Sequence, residues 1–362
     1  MKQRMHNIEL LRIVSMLLVI LTHFWGHGID LIAIEPFTFA YYVGWLFKGM
    51  SLVSVNLYVL ISAFFLCESK FSLKKLVLIC LEVEFYSITL YFISLSMKWT
   101  VFSPLRCIKA MLPIMSSEYW FATAYVGLLL LTPMLNFTIK HMNRRQHEFS
   151  IIILSLLFSV LPNMFFYSRW LNFGEGTGIV WLCVLYFVGS YIRRYIYGKK
   201  QHKAVVNVLA IIALGLPFLS RIAIAWGTKT LLGHVVGAGL FFSFNSVIIY
   251  PASVLIFIAF LNMRIPQSLG RIINWVASAA FGVFLIHDNT YLSTVMWSVV
   301  RSRIHLEQIS LIWECMFSVI IIFIGCMLID KVRELFFRPI RRIPFGNKVD
   351  MLINNTFEQG KN

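Results

Sequence analysis

Apolar runs long enough to cross a lipid bilayer follow one another along almost the whole of this chain. A hydrocarbon core about 30 Å thick is crossed by about 20 residues of helix. Runs of that length are read at 8–26, 41–66, 73–96, 119–138, 149–167, 178–197, 204–226, 243–262, 276–298 and 308–330. The second is interrupted by Lys48 and Asn56, and the seventh by Pro217 and Arg221. Only 13% of the residues are charged, while 59% are hydrophobic and 15% aromatic. A soluble domain carries about 25% charged residues, so a water-soluble α/β enzyme could not cover its surface with this composition. Disorder is excluded as well, because disordered chains are rich in charge and poor in aromatics. The expected fold is an all-α integral membrane bundle of about ten transmembrane helices in the lipid bilayer.

The net charge of +16 suggests nucleic acid in a soluble protein and topology in a membrane protein. The positions of the charges decide between these. With the N-terminus placed in the cytoplasm, the inside segments and the tail hold twenty-two Lys and Arg residues. They include Lys2, Arg4, Lys70, Lys74, Lys75, Arg193, Arg194 and the tail from Lys331 to Lys361. Outside lie eight: Lys98, Arg106, Lys109, Arg169, Arg221, Lys229, Arg301 and Arg303. This alternation follows the positive-inside rule and puts both termini in the cytoplasm. No nucleic-acid partner is needed to explain the charge.

The N-terminal run resembles a signal peptide, but Glu9 and Arg12 lie inside it and no small-x-small cleavage pattern closes it, so a retained first helix is expected. The six cysteines are scattered without CxxC spacing, and neither a disulfide framework nor a zinc site is expected. Residues 1–335 read as one membrane domain and 336–362 as a short basic cytoplasmic tail, too short for a catalytic domain. Any chemistry must therefore lie within the membrane domain.

Ionisable groups at membrane depth are costly and mark functional interiors. Arg12 and His23 are eleven positions apart, which places them about 20° apart in azimuth and about 16 Å apart along a helix. One stripe of the first span then carries a cation near the cytoplasmic face and an imidazole deep in the bilayer. Histidine suits reversible proton transfer near neutral pH. The alternative is a snorkelling arginine and a histidine that only packs helices. His23 and His27 have an i, i+4 spacing suited to zinc, but no third ligand is near in sequence. Glu9 is too far along the axis to orient His23.

Glu82 and Glu84, on different faces of the third span, could face a cavity or form a structural ion pair. In the ninth span, adjacent residues His287 and Asp288 do not face each other on a helix, yet Asp288 could orient a histidine on another helix. Lys74 and Lys75 follow the second span and could bind a phosphorylated ligand or simply signal topology. Glu118, Tyr119 and Trp120 open the fourth span as an interfacial aromatic belt or as a platform for a sugar ring.

Several stretches resemble the membrane acyltransferase-3 family, whose bacterial members O-acetylate extracellular polysaccharides. They are Asn7-Ile-Glu-Leu-Leu-Arg12-Ile with His23, which match an R-x(10)-H pattern, and Asn56-Leu-Tyr-Val-Leu-Ile-Ser62. Phe71-Ser-Leu-Lys-Lys75, Tyr119-Trp-Phe-Ala-Thr-Ala-Tyr125, Leu185-Tyr-Phe-Val-Gly189-Ser-Tyr-Ile-Arg193 and Phe281-Gly-Val-Phe-Leu-Ile-His287-Asp continue the likeness. The resemblance implies a multi-pass protein of the bacterial cytoplasmic membrane that takes an acyl group, most often acetyl from acetyl-CoA, from cytoplasmic acyl-CoA. It also implies that His23 is the catalytic histidine, acting as general base on the acceptor hydroxyl or becoming briefly acylated itself; Arg12, Lys74 and Lys75 are the acyl-CoA-binding candidates, a glycan or lipid-linked sugar is the expected acceptor, and no metal is expected. Lys74 and Lys75 stand where the family has an R-x-x-R motif, and lysine lacks arginine's bidentate fork. Glu82, Glu118, Tyr119, Trp120, His287 and Asp288 are candidates for support or acceptor binding. Asn56, Ser62 and Tyr119 are candidates for stabilising an oxyanion. The buried acidic residues also suit a proton-coupled transporter or flippase, although no paired broken helices suggest inverted repeats. A scaffold without catalysis is the third alternative.

Overall fold

The computed structural model describes residues 4–164 and 174–358. Lys2, Arg169, Lys361 and the end of the expected fifth span lie outside the described residues. The helices in chain order are α1 (His6–Gly28), α2 (Phe39–Leu66), α3 (Leu73–Ser96), α4 (Pro104–Met111), α5 (Trp120–His141), α6 (Arg144–Met164) and α7 (Ile179–Ile196). They continue with α8 (Lys203–Leu232), α9 (Ile249–Leu261), α10 (Gln267–His287), α11 (Thr290–Arg301), α12 (Leu311–Arg342) and α13 (Asn347–Glu358). Among the described residues, nine of these are long and apolar enough to cross a membrane: α1, α2, α3, α5, α6, α7, α8, α10 and α12. The protein is a helical integral membrane bundle.

The first helix is the axis of the bundle. It packs against α2, α9, α10 and α12, so side chains around its circumference meet protein on most sides. Beside it, α2 is the most buried of the spans, whereas α6 and α8 are the least. Close approach needs small residues in a membrane. A methyl group added at Gly189 of α7 would lie 2.6 Å from the Ala63 methyl and 3.1 Å from the Leu60 carbonyl of α2.

The polar residues that interrupt the apolar runs have partners. Lys48 Nζ donates to the Thr22 carbonyl at 2.9 Å. Asn56 donates to the Phe244 carbonyl at 2.7 Å and to Ser253 Oγ at 3.1 Å, and accepts from Trp181 Nε1 at 3.0 Å. Arg221 stacks 3.1 Å above the Trp45 ring centroid. The second and seventh runs therefore remain single helices.

Two expectations about the spans are corrected. The run 243–262 is helical only as α9, whose 13 residues span about 20 Å at 1.5 Å per residue. Its first residues are irregular, because Asn56 and Asn245 supply the bonds that a helix would have made: Asn245 donates to the Phe158 carbonyl at 2.8 Å. Non-helical backbone at membrane depth needs such partners. The run 276–298 is not one helix. It starts earlier, as α10, and stops at Asp288, where Asn289 accepts from the amides of Tyr291 and Leu292 and caps α11. An asparagine in this role competes with helix continuation. The boundary drawn at 335 falls inside α12, and the tail folds back as α13. Asp350 there accepts from the Leu73 amide at 2.6 Å, and Asn354 exchanges bonds of 3.0 and 3.1 Å with the Phe71 backbone.

Candidate functional site

His23 ends the regular part of α1. From Phe24 to Gly28 the helix widens into a π turn, with Trp25 at φ −89°, ψ 16°. Such single-turn widenings recur at functional sites because they re-aim side chains. His23 points toward the end of α10, and its Nδ1 lies 3.1 Å from His287 Nε2. His287 is fully buried, and its Nδ1 lies 2.7 Å from the Val283 carbonyl oxygen. A carbonyl can only accept, so His287 Nδ1 carries a proton. In the neutral ring, Nε2 then offers a lone pair, which receives the His23 Nδ1 proton. The second nitrogen of His23, Nε2, is left as a base. Asp288 Oδ1 stands 3.4 Å from the same His23 Nδ1, where its charge stabilises a protonated imidazole.

Two residues from the opening of α5 and α11 hold this corner in place. Tyr119 is buried, donates to the Leu285 carbonyl at 3.1 Å and accepts from Asn289 Nδ2 at 2.8 Å. It acts as a rivet for the end of α10 rather than as an interfacial aromatic. The sequence places His287 and Asp288 side by side, and the fold brings both to His23.

A cavity of about 110 Å³ opens beside His23, lined among others by Ser54, Tyr58, Trp120, Phe121 and Phe284. Trp120 belongs to this wall and stacks on Phe244, with centroids 5.9 Å apart. Ser54 is 1% exposed, and its hydroxyl makes no hydrogen bond among the described residues. A buried hydroxyl without a partner is costly and suits a ligand oxygen. The three oxyanion candidates read from sequence are committed elsewhere. Asn56 is saturated as described above, Tyr119 holds α10, and Ser62 donates to the Tyr58 carbonyl at 2.9 Å and accepts from Tyr125 at 3.1 Å. None of the three lines the cavity.

At the Lys/Arg-rich end, a wider recess of about 590 Å³ is lined by Arg4, Glu9, Arg12, Glu68, Arg193 and Tyr197, among others. Arg12 Nη1 pairs with Glu9 at 2.7 Å, and Arg193 Nη2 pairs with Glu68 at 2.7 Å. Arg193 also lies 4.9 and 5.0 Å from the ring centroids of Phe64 and Tyr197. Three guanidiniums thus face two carboxylates. Tyr58 connects the two spaces: it lines the His23 cavity and donates to the Arg12 carbonyl at 3.1 Å.

The remaining sequence candidates lie apart. Lys74 and Lys75 start α3 beneath α13 and line neither space. Glu82 pairs with Arg333 at 3.0 Å, and Arg333 pairs with Asp330 at 2.7 Å, which also accepts from Tyr86 at 2.7 Å. This cluster ties α3 to α12 and leaves Glu82 a structural partner, away from His23. Glu118 accepts from Thr290 at 3.2 Å and lines an outer cleft of about 380 Å³ with Trp99, Arg106, Lys109 and Tyr291.

Sequence reasoning missed Ser54, gave no role to Tyr58 and Arg193 although both lie in family-like stretches, and counted Arg4 only as a topology signal. The spacing Arg12–Glu9 was visible, being i, i+3 on a helix.

A family model described as an acyltransferase domain matches residues 5–331 of the chain. No curated protein and no solved structure matches it.

Proposed function

This chain belongs to the acyltransferase-3 family of membrane acyltransferases, and we propose that it moves an acyl group, acetyl, from acyl-CoA on the Lys/Arg-rich side to a hydroxyl of a glycan or lipid-linked sugar. The observation that carries this reading is the His23–His287 contact at 3.1 Å with His287 anchored on a backbone carbonyl. It gives His23 a defined tautomer beside a cavity.

The phosphates of acyl-CoA meet Arg4, Arg12 and Arg193 in the recess, since guanidinium forks match phosphate oxygens. The pantetheine arm runs along α1 past Tyr58, over about 16 Å, and brings the thioester to His23. His23 Nε2 takes the proton of the acceptor hydroxyl as its oxygen attacks the thioester carbonyl. Ser54 donates to the oxyanion. The carbon–sulfur bond then breaks, and the imidazolium returns the proton to the leaving thiolate. Ester and free CoA are the products, and His23 ends as it began. Asp288 steadies the imidazolium between the two transfers. The outer cleft beside Glu118 suits the sugar ring, with Trp99 and Tyr291 for stacking. The charge distribution supports a bacterial cytoplasmic membrane location with both termini inside.

Glu82 and Asp330 are held by Arg333, which favours an enzyme over a proton-coupled carrier. Purified protein in detergent, given labelled acetyl-CoA and a glycan acceptor, tests the proposal. Release of CoA with label on the glycan, lost in His23→Ala, is expected. Label transfer at full rate by folded His23→Ala would remove the mechanism.

A further inference from the structure

His27 has no part in acyl transfer, yet it stands at the mouth of the site. It is exposed on the π turn, its ring centroid is 5.1 Å from that of His23, and its side chain makes no hydrogen bond among the described residues. Asp288 completes a trio, for ligand atoms of His23, His27 and Asp288 all lie within 4.8 Å of one another. The sequence offered only two of the three, because Asp288 joins them from the other end of the chain.

We infer that His23, His27 and Asp288 form a binding site for a divalent transition cation such as Zn²⁺, which blocks the catalytic imidazole. Two imidazoles and a carboxylate with an open fourth position are a donor set that zinc takes. Metal–ligand bonds of about 2.0–2.1 Å at tetrahedral angles separate ligand atoms by about 3.3 Å. The His23 Nδ1–Asp288 Oδ1 distance is 3.4 Å. A gap of up to 4.8 Å must close further, and His27, the most exposed of the three, is free to swing in. An ion on His23 Nδ1 displaces the bond to His287 and leaves the proton of the neutral ring on Nε2, so that nitrogen can no longer serve as a base. Lys48, whose ammonium is held on the Thr22 carbonyl, is the opposing charge, and the Asp288 carboxylate offsets it.

Occupation takes an imidazole nitrogen out of proton transfer, so the cation is an inhibitor that enters from the side opposite acyl-CoA. Binding does not depend on the acyltransferase mechanism; inhibition does. The test therefore reads binding first, on the full-length protein in detergent without substrate. Co²⁺ alone is titrated in, followed through its visible d–d bands, and then displaced by Zn²⁺. One ion per chain is expected, with binding at least tenfold weaker in both His27→Ala and His27→Asn. In the transfer assay, Zn²⁺ inhibits, and His27→Ala is expected to keep its uninhibited rate while needing at least tenfold more Zn²⁺ for the same inhibition. Absence of saturable one-to-one binding, or unchanged binding in both His27 variants, overturns the site. Normal binding without inhibition keeps the site and refutes the role of His23 as base.

Discussion

Replacing His287 separates the geometry of the site from its bulk. His287 touches neither cavity wall nor recess; it acts through His23, whose Nδ1 proton it accepts. His287→Ala removes that acceptor and lets the His23 ring turn, so that the proton no longer has one preferred nitrogen. A buried hydrogen bond lost in this way costs about 1–3 kcal/mol. At about 1.4 kcal/mol per decade, kcat should fall by roughly 5- to 150-fold. In the proposed mechanism acyl-CoA is held at the other end of α1, so its KM should stay within about twofold, the signature of an interaction that matters only in the transition state. His287→Gln restores an acceptor oxygen and should recover part of the loss. Steady-state transfer assays give both constants, and ¹⁵N spectra of histidine-labelled protein report which His23 nitrogen bears the proton. A folded His287→Ala protein with wild-type kcat, or one whose defect lies wholly in KM, refutes the tautomer argument.

Ser54→Ala should lower kcat by about 10²-fold, as for a lost oxyanion donor, with no loss of thermal stability because the hydroxyl holds no other group; a fall in Tm with kcat intact would make it structural. Arg12→Ala and Arg193→Ala should each raise the acyl-CoA KM by about tenfold or more, in line with charge-assisted bonds of about 1.5–3 kcal/mol, whereas the Lys74→Ala, Lys75→Ala double variant should change it by less than about twofold; the reverse order in a binding assay would return the phosphate site to the loop. Glu82→Gln should destabilise the protein by about 1–3 kcal/mol, since it weakens one charged bond to Arg333 while Asp330 keeps the other, and should leave kcat of the remaining folded protein unchanged; thermal unfolding followed by activity measures both.

The readable parts of this molecule were those that repeat or that lie close in sequence. Apolar runs of about 20 residues give spans because the bilayer has one thickness. Arg12 and His23 could be related because both ride on one helix, where spacing is angle and distance. Contacts across the chain left no such trace. His23 and His287 are 264 positions apart, and nothing in either segment marks the other. Charge alone does not rank the candidate phosphate contacts. Lys74 and Lys75 form a denser cluster than Arg4 and Arg193, but they line neither space and Lys75 faces outward, while Arg193 is turned inward by Glu68 and two aromatic rings. Ser54 was invisible because a hydroxyl's role depends on what it fails to meet, and only packing shows that.

The failure over the ninth run and the construction of the site have one cause. Within a helix, adjacent side chains diverge by about 100°, so His287 and Asp288 could not both serve one imidazole while α10 continued. Ending α10 there removes the constraint. Asp288 leaves the helical region at ψ near 1°, Asn289 begins a new helix, and the two neighbours converge on His23. Facing them, α1 abandons regular spacing at the next residue, and the π turn carries His27 to within 5.1 Å of His23 by ring centroid. Two broken helix ends therefore meet at one imidazole. In a bilayer such breaks are tolerated only where other groups satisfy the freed backbone, and here Tyr119, Asn289, Lys48 and Arg301 do so: Arg301 alone donates to the carbonyls of His27 and Gly28, at 2.9 and 2.7 Å. Local rules that fail at the same spot in two helices, each with dedicated support, are what a site under functional constraint leaves in a fold.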